Sequence, residues 1–243
     1  GPARILILVA SPVALIATMT VTAGLMSLPF QLAVRSGSLP RDTGNPFYAM
    51  RRLYGLAWTT VYYCTPVYHV VLSIPALKIF VFRLFGYRGS PRFTTYPDTW
   101  IRDLPLLDIG DDVYLSNRAT LGANVVLSGG GILFDRISIR KQSVVGHLAM
   151  LAPGVVIGER CNVGVGAALS FGVEVGDGSR IGPCTGIDYG AILGEACRIG
   201  ACCYIGPGCR ISDFVRIPAI SPQVSLRNQS RWRWETLARG GDR

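Results

Sequence analysis

A mainly β chain wound as a parallel β-helix, preceded by a helical membrane-associated segment, is the fold this sequence predicts. Three observations carry the prediction. An aliphatic residue recurs at every sixth position through the middle of the chain, two long uncharged runs lie near its start, and basic charge is confined to its ends.

Hydrophobic residues make up 49% of the 243 positions and charged residues only 16%, with a mean hydropathy of +0.36. That is too apolar for an ordinary soluble domain and points to a membrane portion. Gly1-Pro2 has the look of a protease scar and is set aside, and with no initiator methionine directly following it the natural chain is expected to extend upstream. The net charge of +9 is uneven: nine Lys/Arg face two Asp/Glu in residues 1–100, ten face eleven in 101–222, and five face two in 223–243. Basic flanks beside apolar runs fit anionic lipid head groups. A nucleic-acid binder would carry its charge on the folded domain, so nucleic acid is not an expected partner.

Residues 3–90 read as apolar helical membrane segments. The stretch from Ile5 to Val34 has no charged residue over 30 positions, long enough to span a bilayer. From Leu53 to Leu77 come 25 more, rich in Tyr and Trp. Arg35, Arg41, Arg51 and Arg52 separate the runs, and Lys78, Arg83, Arg88 and Arg92 follow. Because both borders are basic, charge does not fix an orientation. Pro12, Pro29, Pro66 and Pro75 are expected to kink these helices or make them re-entrant. The competing reading is that they cover another domain. The expected location is the bacterial inner membrane, with the β-helix on the cytoplasmic side.

Residues 91–222 are expected to form the β-helix, and 223–243 a basic tail. From Ile109 to Ile217 all 19 positions spaced by six are aliphatic, and the next residue is glycine ten times. Four positions after each aliphatic residue the side chain is usually small, as at Ala149, Cys161, Ala167 and Ser179. Neither the 3.6-residue period of a helix nor the alternation of an ordinary strand produces an unbroken six. A hexad supplying one short strand and one turn does.

This pattern resembles the hexapeptide-repeat acyltransferases, whose fold is a left-handed parallel β-helix with three hexads in each triangular coil. The likeness covers about Leu104 to Pro222. It implies aliphatic residues inside the prism, small ones at its corners, and glycines where turns need unusual dihedrals. Cys161, Cys197, Cys203 and Cys209 hold the small corner position, so they read as buried small hydrophobes. Their spacing argues against a zinc site, and an odd total of seven cysteines argues against a disulfide framework. The carbonic-anhydrase branch of the family needs three metal-binding histidines; the coil has one, so no metal is expected.

That histidine is His147, within SVVGHLAMLAPG; the other, His69, lies in the second apolar run. Residues 18 apart in such a coil stack at about 4.8 Å, the spacing of neighbouring strands. His147 is therefore expected above Gly129, flanked by Gly130 and Gly131, and below Val165. With Gly146, these glycines would leave a side-chain-free strip where a thioester could lie against backbone N–H groups. Acyl transfer to a hydroxyl or amine needs a base to take the acceptor's proton, and an imidazole suits that task. The oxyanion then needs N–H donors. Similar acyltransferases use one histidine so, usually at a groove between subunits of a homotrimer. The nearest carboxylate in the expected column is Asp111, two coils away. An orienting partner is thus expected from a backbone carbonyl, another face, or a neighbouring chain presenting Asn117 or Asp135. Arg198, Arg210 and Arg216 are candidates for the phosphates of the donor.

Two functions remain open. One is a membrane-associated acyltransferase that takes an acyl or aminoacyl group from a CoA or phosphopantetheine carrier-protein thioester. Membrane segments joined to such a coil also resemble the membrane-anchored terminal domains of some nonribosomal-peptide-synthetase-like proteins, which implies a carrier protein or upstream domains as partners. The other is a non-catalytic trimerising β-helix scaffold of a larger protein. Either reading predicts a homotrimer in contact with lipid.

Overall fold

A computed structural model describes residues 2–219, with side chains from residue 10 onward. Gly1, the last three residues of the expected β-helix span and the basic tail at 223–243 lie outside the described residues.

Four helices precede the coil: α1 (Pro2–Ala33), α2 (Pro46–Tyr62), α3 (Thr65–Ser73) and α4 (Pro75–Leu84). α1 runs continuously through Pro12 and Pro29. Its segment Ala10–Ala33 is long and apolar enough to cross a membrane. Val13, Leu15, Leu25 and Leu32 on it are exposed, an arrangement that water disfavours. The second uncharged run is divided among three helices, of which α3 and α4 together are apolar enough for a broken span or a re-entrant loop. Pro66 and Pro75 sit in the first turns of α3 and α4, where a missing N–H costs nothing, and α3 and α4 meet at a bend of 116°. The buried side of α2 lies instead on the coil: Trp58 Nε1 donates to the Ile101 carbonyl at 2.8 Å, and the Tyr62 hydroxyl to Thr99 at 3.0 Å.

The coil is a parallel β-helix with three faces of seven, six and six strands. The first face runs from Thr94–Thr95 to Arg216–Ile217, the second from Trp100–Ile101 to Tyr204–Ile205, and the third from Leu107–Ile109 to Arg210–Ile211. Winding thus begins before the hexad pattern does. The turn at Leu104–Leu106 shifts the phase and hides the first coil from a count of six.

Each hexad uses its positions alike. The aliphatic residue points inward, and Leu115, Val145, Val163 and Ile157 are fully buried. The corner residue four places on closes a hydrogen-bond ladder between coils. The Ser143 hydroxyl donates to the Gly158 carbonyl at 2.7 Å and accepts from the Cys161 N–H at 2.9 Å. The Cys161 thiol then donates to Gly176, as Ser179 does to Gly194 and Thr185 to Gly200. Hydroxyl and thiol are interchangeable here because both are small and both can donate, which accounts for the buried Cys161, Cys197 and Cys203.

The glycines after the aliphatic positions serve a different need from the expected one. Positive φ falls three places after the aliphatic residue, at Leu148, Gly166, Gly178 and Cys184 among others. The glycines one place after it sit where coils touch. A Cβ on Gly146 would lie 2.7 Å from the Val163 carbonyl oxygen, and one on Gly182 only 2.4 Å from the Gly200 carbonyl carbon.

One departure breaks the coil. Val145 pairs with Val163, 18 residues on, but Ile109 pairs with Ile139, 30 residues on. The 12 additional residues form a hairpin of strands Asn124–Val126 and Gly131–Phe134, and Gly37–Pro40 adds to its edge. Twelve is two hexads, so the insertion leaves the count of six intact and cannot be seen in it.

Candidate functional site

His147 sits at the corner between the first and second faces, half-buried, in the turn between strands Val144–Val145 and Met150–Leu151. Its carbonyl accepts from Gly166 at 2.8 Å, which holds the turn to the next coil. Val145 pairs with Leu115 below and Val163 above, so the column through His147 runs from Asn117 to Val165. The expected neighbour above holds, and the expected neighbour below does not.

The hairpin causes this correction. Gly129, Gly130 and Gly131 form its tip, with Gly130 at φ +81 and its N–H on the Leu127 carbonyl at 2.9 Å. They lie away from His147, and no glycine strip runs beneath the imidazole. Asn117 takes that place within the same chain, and its carbonyl accepts from the Leu148 N–H at 3.2 Å. Asp111 leaves the column as well: it aligns with Lys141 and pairs with Arg92 and, more weakly, Ser90, which hold its carboxyl below the usual carboxylate range. Asp135 lies at another corner, where its carboxylate accepts from Arg136 N–H at 2.7 Å and faces Gly154. Gly146 adjoins His147, but the adjacent coil presses against it and its N–H is held by Val163.

The candidate arginines divide between faces. Arg198 and Arg216 stack in register on the first face, together with Arg180, which the sequence reading missed. Arg210 is on the third face, aligned with Ile192. The three chosen residues therefore do not converge. Among the described residues no ion pair links a carboxylate to Arg180, Arg198 or Arg216.

An open groove of about 470 Å³ lies along the second face. Its floor is Ala168 and Gly186, where a hexad has a small residue in the outward strand position; its ends are Met150 and Tyr204, and the hairpin residues Asn124 and Val125 also line it. Met150 is three residues past His147, although the imidazole itself is not in the lining. One carboxylate stands in this apolar trough. Asp188 accepts from the Tyr204 hydroxyl at 2.6 Å and from the Tyr189 N–H at 2.7 Å. The Tyr204 hydroxyl, followed by that N–H, holds the Asp188 carboxyl below its ordinary range, and the same contact raises the Tyr204 phenol. Asp188 had a sequence signal. It is the one acidic residue in the place after the aliphatic position, where glycine is usual. Among the described residues no three His, Cys, Asp or Glu side chains are arranged to hold a metal ion.

No protein-family model and no curated protein matches this sequence. Solved structures do resemble it. The acetyltransferase domain of PglB from Neisseria gonorrhoeae FA1090, in complex with acetyl coenzyme A, is 19% identical with a TM-score of 0.44, over 59% of this chain and 60% of that one. PerB from Caulobacter crescentus, in complex with CoA and GDP-perosamine, is 19% identical with a TM-score of 0.31, over 59% and 60%. Serine acetyltransferase isoform 3 from Entamoeba histolytica, in complex with cysteine, is 14% identical with a TM-score of 0.16, over 79% and 53%. The chain spans no more than about six-tenths of the length of these three structures.

Proposed function

We propose that the chain is an acyltransferase working at a membrane surface, with His147 as general base and a CoA or phosphopantetheine carrier-protein thioester as donor. The observation that carries this reading is the apolar groove along the second face, which begins three residues from the coil's single histidine. A thioester arm laid over Ala168 and Gly186 meets no large side chain, and Met150 is the lining residue nearest His147 in sequence.

The proton path follows from the chemistry. The neutral imidazole takes the proton of an acceptor hydroxyl or amine as that atom bonds to the thioester carbonyl. The resulting oxyanion needs an N–H donor, and the His147 N–H is the candidate in this turn, because those of Gly146, Leu148 and Ala149 are already given to carbonyls. Collapse breaks the carbon–sulfur bond, and the imidazolium returns its proton to the leaving thiolate. Asn117, directly below in the column, is the candidate to orient the ring. The stacked Arg198 and Arg216, with Arg180, are the candidates for donor phosphates, and Arg210 is dropped from that cluster because it lies on another face.

The exposed apolar helix α1 supports membrane attachment, and acceptors at the bilayer surface follow from it. Leu148, Met150, Val165, Phe171 and Tyr189 leave the second face and its corners apolar and exposed. A homotrimer would cover them, and a trimer mass by light scattering in detergent checks this.

The deciding experiment measures release of free thiol from acetyl-CoA and from an acetylated carrier protein by mass spectrometry, using the full chain in detergent. His147→Ala should lower transfer by roughly 10²–10⁴-fold with an unchanged circular dichroism spectrum. Near-normal transfer by that variant would remove the imidazole from the reaction and favour the scaffold reading.

A further inference from the structure

We propose that Cys184 and Cys202 close a disulfide across two consecutive coils, at the corner between the first and second faces. The inference stands apart from the acyltransfer reading. The two residues occupy the same place in successive coils, since Gly186 pairs with Tyr204 two residues further along each. Their N–H groups continue one ladder, Cys184 to the Val165 carbonyl at 2.8 Å and Cys202 to Pro183 at 2.9 Å. Coils are about 4.8 Å apart, inside the Cα separation of roughly 4.4–6.8 Å that disulfides require.

Both side chains are exposed, whereas Cys161, Cys197 and Cys203 are buried and Cys64 and Cys209 partly so. Both also lie at positive φ, 54° and 56°, at a corner place that Gly166 fills one coil earlier. Leu148 and Arg118 hold the same place in earlier coils at φ 57° and 54°, so the corner accepts side chains and points those of Cys184 and Cys202 outward. Reach is adequate. The Cys184 sulfur lies 3.5 Å from the position a Cβ on Gly166 would take. The Cys184 sulfur thus lies on the Gly166 side; the same rotamer at Cys202 would set its sulfur beside the Cys184 Cβ, and a χ1 rotation of the exposed Cys184 would bring the two sulfurs together. Cys203, although next in sequence, points into the prism.

The oxidant is a small-molecule disulfide such as oxidised glutathione. One protein thiolate attacks it to form a mixed disulfide and releases one glutathione thiolate. The second protein thiolate then displaces the other. Two protein thiols lose two protons and two electrons, and two glutathione thiols gain them. The bond would tie consecutive coils together two and three turns along the corner from His147.

The test treats the full chain in detergent with oxidised glutathione and reads intact mass, iodoacetamide labelling and tryptic peptides. The expected result is a loss of about 2 Da, two fewer alkylation sites, and residues 181–198 joined to 199–210. Cys184→Ser and Cys202→Ser should each abolish the join, while a Cys197→Ser, Cys203→Ser, Cys209→Ser triple variant should keep it. Stable glutathione adducts on both residues without closure would overturn the proposal. So would a link between two chains, a join through another cysteine, or failure of these thiols to react with iodoacetamide in the reduced native protein.

Discussion

In the β-helix, aliphatic side chains and small corner residues repeat from coil to coil, and each makes the same contacts as its counterpart 18 residues away. The helical layer formed by α1–α4 meets that coil through single large contacts that never recur. Trp58 lies edge-on to Tyr68, Phe82 and Phe85 and donates to Ile101. The Tyr54 hydroxyl donates to Phe85 and accepts from the Leu104 N–H, both at 3.1 Å. Arg51 reaches from α2 to the wholly buried Asp103, with Nε 3.0 Å from its carboxylate, and the Asn124 amide of the hairpin donates to the same group. A repeated contact distributes its energy over many equivalent sites, whereas an unrepeated one concentrates it, so the two regions should respond differently to single substitutions.

The largest effect is expected where the layer meets the coil. Asp103→Asn keeps the shape and tolerates the backbone at φ +52, but it leaves the Arg51 charge buried without its partner. A loss of roughly 3–5 kcal/mol in unfolding free energy is expected. Hydrogen exchange should place the damage in α2 and the hairpin while the later coils stay protected; uniform loss of protection would break the distinction between the regions.

Within the coil, the same glycine-to-alanine change should depend on its place in the hexad. Gly182→Ala drives a Cβ into the Gly200 backbone at 2.4 Å and should cost about 3 kcal/mol, near the upper range for overpacking. Gly186→Ala meets only the Tyr204 ring edge at 3.5 Å and should stay within about 0.5 kcal/mol of the parent. Thermal unfolding of the pair checks both, and equal losses would show that coil contact is not what selects glycine.

The smallest effect concerns the groove. Because its folded-state pKa is depressed, Asp188 contributes stability above the unfolded carboxylate value, and that contribution is lost as pH falls through the folded one. Tyr204→Phe should return the Asp188 titration toward the ordinary carboxylate range, read by carboxyl NMR, and the stability difference from the parent should vanish in acid. An unmoved titration would show that the Tyr204 hydroxyl is not the cause.

The sequence by itself determined the β-helix, its inward residues, the corner cysteines and the apolar first helix, because each rests on a pattern repeated many times or sustained over a bilayer's length. Only the tertiary structure decided where the coil is interrupted. A hairpin two hexads long preserves the period of six while moving Gly129 away from His147 and bringing Asn117 beneath it. It also decided that α2 lies on the coil, since tyrosines and tryptophans in an uncharged run serve a lipid interface or a protein core equally well. The groove at Asp188 and Tyr204 was beyond reach for a related reason. It joins outward positions of separate coils, where a hexad places few demands on the residue, and their meeting depends on coil stacking alone.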